Sequence, residues 1–273
     1  MNDRFLSTHF QHELLSSYHF ILNINQPMWS WVIVERKTHT VVAANRGIYH
    51  SFSDIETALN QWKLSAFGQA SILTFSEDNV LVPISFYDEN EKQALFQFCN
   101  DLSQGSFIET NAIIATEMMN LFSIPEELHS LKNKILPQAV QYHVSTSSIL
   151  AAHQLSQQSF HPIILIGIYQ EAISLTIADG GKVLFSNYFR SITQEDMLYW
   201  IVRLIEQLEL DGTKIALYVN GSKPLVSERM VYLTSYFSKV LPLPFPSFLS
   251  IAKDAPEDYF QPFIDSFYLL LCE

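Results

Sequence analysis

The chain has 273 residues, 48% hydrophobic and only 16% charged: enough apolar material for two ordinary domains or one large one, and not the composition of a disordered or fibrous protein. Its formal charge is −12, with no run of Lys or Arg. Such a chain repels a phosphate backbone, so nucleic acid is not an expected partner.

Taken in order, Asn2 to Ser17 suggests no more than a short arm or strand. Three strands follow, YHFILNIN, WSWVIVER and TVVAAN, separated by turns at Gln26-Pro27 and Lys37-Thr38-His39; this is a meander of antiparallel hairpins. Ser53 is placed to cap a helix with Ile55, Leu59 and Trp62 on one face, and ASILTF is a fourth strand. VLVPISF reads as a short extended segment, and DENEKQALFQFCNDL as a helix with an acidic first turn. NAIIATEMM reads as one strand. SIPEELHSLKNKI then reads as a helix capped by Ser123 with Pro125 in its first turn, and STSSILAAHQLSQQS as another helix.

The stretch from Ile163 to Ser222 is the most strongly patterned. Apolar residues follow period two through AISLTI and KVLFSNYF, with a hairpin turn at Asp179-Gly180-Gly181, then change to helical spacing after Thr193. Thr193 and Asp196 have the spacing of a capping box, and Met197, Trp200, Ile201, Leu204, Ile205 and Leu208 form the helix's apolar stripe. KIALYV is a strand and Pro224 to Phe237 a helix. VLPLPFPSFL is confined by its prolines to an edge strand or loop, and a last helix from about Glu257 carries Phe260, Phe263, Ile264, Phe267, Leu270 and Leu271 on a face suited to docking in a core.

A shift of 142 positions sets Ile24 on Ile166, Val41 on Val183, Asn45 on Asn187 and Asp54 on Asp196 without a gap. With the shared order of three strands, helix and strand, this predicts one α/β unit used twice, residues 1–143 and 144–273, as two lobes facing a cleft.

Few motifs carry chemistry. Cys99 and Cys272 lie far apart, as thiols of a reducing compartment do. Nine histidines include His9-x-x-His12 but no metal-binding pattern, so no metal is expected. No nucleophile elbow or Walker loop occurs, and no catalytic residue is assigned. The start lacks the pattern of a signal peptide and the apolar runs are too short for a membrane helix, which predicts a soluble, cytoplasmic protein without membrane insertion.

LFSIPEEL (Leu121 to Leu128), VLVP (Val80 to Pro83) and above all NYFRSITQEDMLYWI (Asn187 to Ile201) resemble an uncharacterised bacterial family, domain of unknown function 3822. The duplicated units are similar to the actin-like (ribonuclease H-like) ATPase fold of sugar kinases, heat-shock chaperone ATPases and actin. The resemblance implies that fold but brings no activity and no catalytic residues. Active members of the fold cradle phosphates in the first hairpin of each half, where an Asp is followed by small residues; glycine there lets backbone N–H groups reach phosphate oxygens. Here those hairpins read NINQPMWSW and IGIYQEAIS, without Asp-x-Gly, in a chain of only 8 glycines. Asn25 and Glu171 have side chains that could contact a metal ion, but surface turn residues explain them better. A residual nucleotide turn is placed at Asn220, Gly221, Ser222 and Lys223, where a helix start could accept an anion. The expectation is an interaction or scaffold protein that binds another protein and needs no cofactor, with a Mg-ATP-dependent phosphotransferase or ATPase as the alternative.

Overall fold

The computed structural model describes residues 3–25, 27–169, 171–221, 223–256 and 259–272. It divides into two compact units: Met1–Val144 with Pro246–Phe267, and Ser145–Phe245 with Tyr268–Glu273.

In the first unit β1 (Asp3–Leu6) is followed by the meander β2 (Tyr18–Asn25), β3 (Met28–Glu35) and β4 (Thr40–Ile48). The helix α1 (Phe52–Leu59) then leads to β5 (Gln69–Thr74). The β2 strand pairs antiparallel with β3 and parallel with β5, so it is central. It can be central because both of its faces are buried: Phe20 and Leu22 on one, and Ile21 with the polar His19 on the other, are almost wholly inaccessible. On one face Phe20, Leu22, Ile24, Trp31 and Ile33 pack with Ile55 and Leu59 of α1. Trp62 lies just beyond the helix but enters the same core, its ring 5.2 Å edge-on from Trp31.

The cap of α1 differs from expectation. Ser51, not Ser53, is the N-cap, with Asp54 completing a capping box by accepting from the Ser51 and His50 amides at 3.0 and 2.8 Å. Beyond β5 come β6 (Asn79–Pro83), the short helix α2 (Lys92–Gln97), β7 (Ser106–Ile113) and β8 (Met118–Pro125). The predicted long helix over 88–102 is reduced to a 3-10 turn and α2. The predicted single strand over 111–119 is in fact the tip of the β7–β8 hairpin, which with β6 makes a separate three-stranded sheet. The reversal occurs at Glu117, a non-glycine residue at φ +54, inside an otherwise apolar run. Ser123 belongs to β8, and Pro125 occupies the cap position of α3 (Glu126–Ile135). A further strand, β9 (Val140–His143), pairs parallel with β5.

The second unit opens with α4 (Val144–Gln157), then β10 (Ile163–Ile168), β11 (Ala172–Asp179), β12 (Lys182–Arg190), α5 (Gln194–Gln207), β13 (Ala216–Gly221), α6 (Lys223–Leu233) and β14 (Val240–Pro242). Asp179 pairs with Lys182 across Gly180 and Gly181, both at positive φ, as a two-residue hairpin turn requires. The turn is anchored to α4: His153 Nδ1 lies 2.5 Å from the Gly181 carbonyl, and the Gly181 amide donates to Ser156 Oγ at 3.0 Å. Alternate residues Ile164, Ile166, Ile173, Leu175 and Ile177 face the buried stripe Met197, Ile201, Leu204 and Ile205 of α5. Thr193 and Asp196 form the expected capping box. The sheet runs β12-β11-β10-β13-β14; the central strands of the first unit's sheet run β4-β3-β2-β5-β9. In each, the meander is antiparallel and both return strands are parallel.

Residues 246–267, grouped by the sequence with the second half, pack in the first unit. β15 (Ser250–Ile251) pairs with β4, and the Asp254 carboxylate accepts from the Thr8 amide at 2.7 Å and the Ser7 hydroxyl at 2.8 Å, which hold it down at about 2. The expected start at Glu257 lies outside the described residues, and the rest of the predicted last helix is broken into 3-10 turns around α7 (Ile264–Tyr268); Phe260, Phe263, Ile264 and Phe267 are buried as expected, whereas Leu270 and Leu271 are only half-buried. No helix among the described residues is long and apolar enough to cross a membrane.

The cap of α5 is open to direct test. Thr193→Ala should cost about 1 kcal/mol in denaturant titrations, since it orphans the Asp196 amide. The Thr193 and Ile192 amides hold the Asp196 carboxyl below the ordinary aspartate value. A depressed native pKa contributes stability above the unfolded value and loses it as pH falls through the folded one. Asp196→Asn should therefore be less stable than the parent at pH 7, and the difference should close on acidification below about pH 4.

Candidate functional site

In an open α/β sheet, ligands gather at the carboxyl ends of parallel strands. In the second unit those ends belong to β10 and β13, where Ile168 pairs with Gly221. The β10–β11 hairpin and the turn into α6 therefore lie side by side, as the expected site requires. Asn220 and Gly221 close β13, Ser222 lies outside the described residues, and Lys223 opens α6.

Gly221 has a reason for being glycine that involves no ligand. Its φ is +144, and a β-carbon would fall 2.7 Å from the Ile168 carbonyl oxygen and 3.2 Å from Ile168 Cβ. Strand pairing at close backbone approach accounts for it. The neighbouring hairpin is tight and bulky. The Tyr169 amide donates to the Ala172 carbonyl at 2.9 Å, and the Tyr169 side chain covers Gly167, where a β-carbon would meet its hydroxyl at 3.1 Å and its Cε2 at 3.2 Å. Glu171 is exposed, 3.9 Å from Arg190.

The first unit's hairpin is of the same kind. Asn25 pairs with Met28; Gln26 lies outside the described residues, and Pro27 has no N–H to offer. Trp29, buried just beyond it, lies against Gly47, where a β-carbon would sit 2.9 Å from the indole. Asn25 is half-buried at the end of β2. Among the described residues no group of three or more His, Cys, Asp or Glu is placed to hold a metal ion. The open groove between α1 and α3 is lined by Glu56, Glu126 and Glu127, with Lys134 already 2.6 Å from Glu56. It is poorly suited to an anion.

What the sequence missed is a buried polar cluster at the carboxyl ends of β5 and β9. Gln141 Nε2 donates to Thr74 Oγ1 at 3.0 Å, Asn111 Nδ2 to the Gln141 carbonyl at 2.7 Å, and the His143 amide to Asn111 Oδ1 at 3.1 Å. His143 Nε2 lies 3.0 Å from the Ser76 amide and 2.9 Å from its carbonyl, so one tautomer accepts and the other donates. These bonds tie β7 of the small sheet to the edge of the main one. Burial pushes the imidazole pKa from 6.5 down to about 4, keeping it neutral. The only local signal was an unusual density of Ser, Thr, Asn and Gln in otherwise apolar segments.

Two measurements probe these positions. Gly221→Ala should destabilise by roughly 1–3 kcal/mol, the usual cost of forcing a β-carbon into such backbone, read from chemical denaturation. For His143 the unfolded chain binds more protons than the native one between about pH 4 and 6.5. Stability should fall across that window as pH drops, by up to about 1.4 kcal/mol per pH unit, and His143→Gln should flatten the slope.

Among curated proteins nothing matches the chain. Among solved structures it is similar to a Bacteroides thetaiotaomicron protein with an actin-like ATPase fold and unknown function, at 17% identity and a TM-score of 0.79, over 97% of this chain and 99% of that one. It is also similar to the PilM-PilN type IV pilus biogenesis complex (12% identity, TM-score 0.62, 93% and 96% covered). A third likeness is the ethanolamine utilization protein EutJ from Carboxydothermus hydrogenoformans (9%, 0.50, 94% and 90%). At these identities the likeness is one of fold, and the fold is actin-like. The chain belongs to the family described as protein of unknown function (DUF3822), which matches residues 8–240.

Proposed function

We propose that this chain is one actin-like α/β unit used twice, and that it acts as a non-catalytic interaction or scaffold protein. The duplication is supported by local devices recurring 142 positions apart. Ser51 with Asp54 and Thr193 with Asp196 make the same capping box. Asn45 Oδ1 takes the Arg46 amide at 2.9 Å, and Asn187 Oδ1 takes the Tyr188 amide at 2.8 Å. Few identities survive between the halves, yet these corners do the same work.

The observation that carries the functional reading is the pair of hairpin turns. A phosphate cradle needs small residues and several backbone N–H groups converging on one point. These turns present Pro27, Met28 and Tyr169, and the Tyr169 amide is bonded to Ala172. Gly221 answers to the Ile168 carbonyl. The charge of −12 adds long-range repulsion toward a triphosphate. A role in assembly also has a counterpart among the fold's neighbours, one of which was solved as a two-protein pilus biogenesis complex.

Titration calorimetry with Mg-ATP at millimolar concentration should show no saturable heat, and phosphate release should stay at background. Saturable binding would falsify the scaffold reading and establish the nucleotide-dependent one.

A further inference from the structure

The two edges of the second unit's sheet are finished differently. The β14 edge is short and carries Pro242, with Pro244 and Pro246 following, which blocks further pairing. The opposite edge is β12, nine residues long, and among the described residues no strand pairs with its outer side. The register shift between Ile177 and Ala178 disturbs its beginning; from Phe185 to Arg190 the pairing with β11 is regular.

The first unit shows what covers the matching edge. There β1 pairs antiparallel with Ala43–Arg46, setting Asp3 opposite Arg46 and Phe5 opposite Ala44. The same 142-position offset carries Ala43–Arg46 onto Phe185–Tyr188, where no strand is bound among the described residues.

The side chains beside this edge are those of an acceptor. Phe185, Asn187 and Phe189 lie on the α5 face, opposite Ile177, Leu175 and Ile173. Phe185 and Phe189 are only half-buried, and Phe189 stacks on Trp200 at 4.3 Å. Tyr199, 59% exposed, extends the apolar shelf, its ring 5.0 Å from Trp200. At the end of the strand the Arg190 side chain is 78% exposed, and its ion pair to Glu171 is a loose 3.9 Å.

We infer that the outer edge of β12 is a β-augmentation site for an extended segment of a partner protein, bound antiparallel, with an acidic residue opposite Arg190 and apolar residues opposite Phe189 and Phe185. In the partner the apolar residues fall one and five places after the acid, because an antiparallel partner runs from Arg190 back toward Phe185. Backbone pairing supplies affinity, and alternate side chains supply selectivity. A second copy of this chain is the poorer occupant. Two β12 strands paired antiparallel along their whole length would set Lys182 opposite Arg190 at both ends, like charges facing each other. The inference deepens the interaction reading and rests on it.

The test is a display library of extended peptides with an acid followed by alternating apolar and polar positions, selected against the full chain. Selected peptides should carry the acid and apolar spacing above and should slow amide hydrogen exchange within residues 183–190. N-methylation of alternate amides should abolish binding on one edge of the peptide only. Arg190→Glu should weaken binding about fivefold, with recovery when the peptide's acid becomes lysine. Selected peptides that protect other residues, or binding indifferent to N-methylation, overturn the proposal, as does a concentration-dependent dimer that protects β12. The interaction reading itself falls only to the Mg-ATP titration, so the two failures are distinguishable.

Discussion

Two strands buried on both faces govern this molecule. β2 and β10 cannot sit at a sheet edge or under solvent on either side, because fully burying each of their large side chains is worth roughly 1.5–3 kcal/mol. Each must therefore be flanked by strands and covered above and below. The antiparallel meander supplies one flank and a parallel return strand the other, and the return requires a crossover helix. Once β2 is central, α1 must present Ile55 and Leu59 to Phe20 and Trp31. Once β10 is central, α5 must present Met197 and Ile201 to Ile166 and Leu175.

The strand-to-helix corner translates that demand into local chemistry. After the last strand of each meander the chain must stop pairing and begin a helix within a few residues, and the helix start leaves amides without partners. A single aspartate at the third helical position takes two of them in each unit: His50 and Ser51 by Asp54, Ile192 and Thr193 by Asp196. Both carboxyls are held below the ordinary aspartate value for that reason. The recurrence of the device explains why these acids look conspicuous in the sequence: each closes the start of a helix.

The same economy applies to glycine. Active actin-like sites use glycine to bring backbone to phosphate. In this chain Gly180 and Gly181 make a hairpin turn, and Gly221 makes room for the carbonyl of Ile168. Gly167 and Gly47 make room for Tyr169 and Trp29. Glycines with such packing reasons are weak markers of a ligand, and the bulky residues they accommodate occupy the hairpin ends where a phosphate would need backbone donors.

Much of this was legible in the residues themselves. Period-two and helical spacing are local properties, so the strands of both meanders, α5 with its capping box, the Gly180-Gly181 turn and the proline-limited edge at β14 could all be read from the sequence. Failures occurred where local pattern carries no information. The hairpin at Glu117 has no glycine or proline to mark it, because the left-handed conformation falls on a glutamate. The strands β9 and β15 are too short to show periodicity and exist only because β5 and β4 offer them edges. The Asn111–Gln141–Thr74 cluster joins residues 30 to 67 positions apart, and each looks like an ordinary polar residue until the others close around it. Sequence alone determined which residues must be inside and where helices begin, since burial and capping depend on neighbours a few positions away. Only tertiary structure decided that Pro246–Phe267 returns to the first unit, that Gly221 answers to Ile168, and that β4 gains a further strand while β12 has none beside it among the described residues, because each depends on which distant backbone arrives at a given edge.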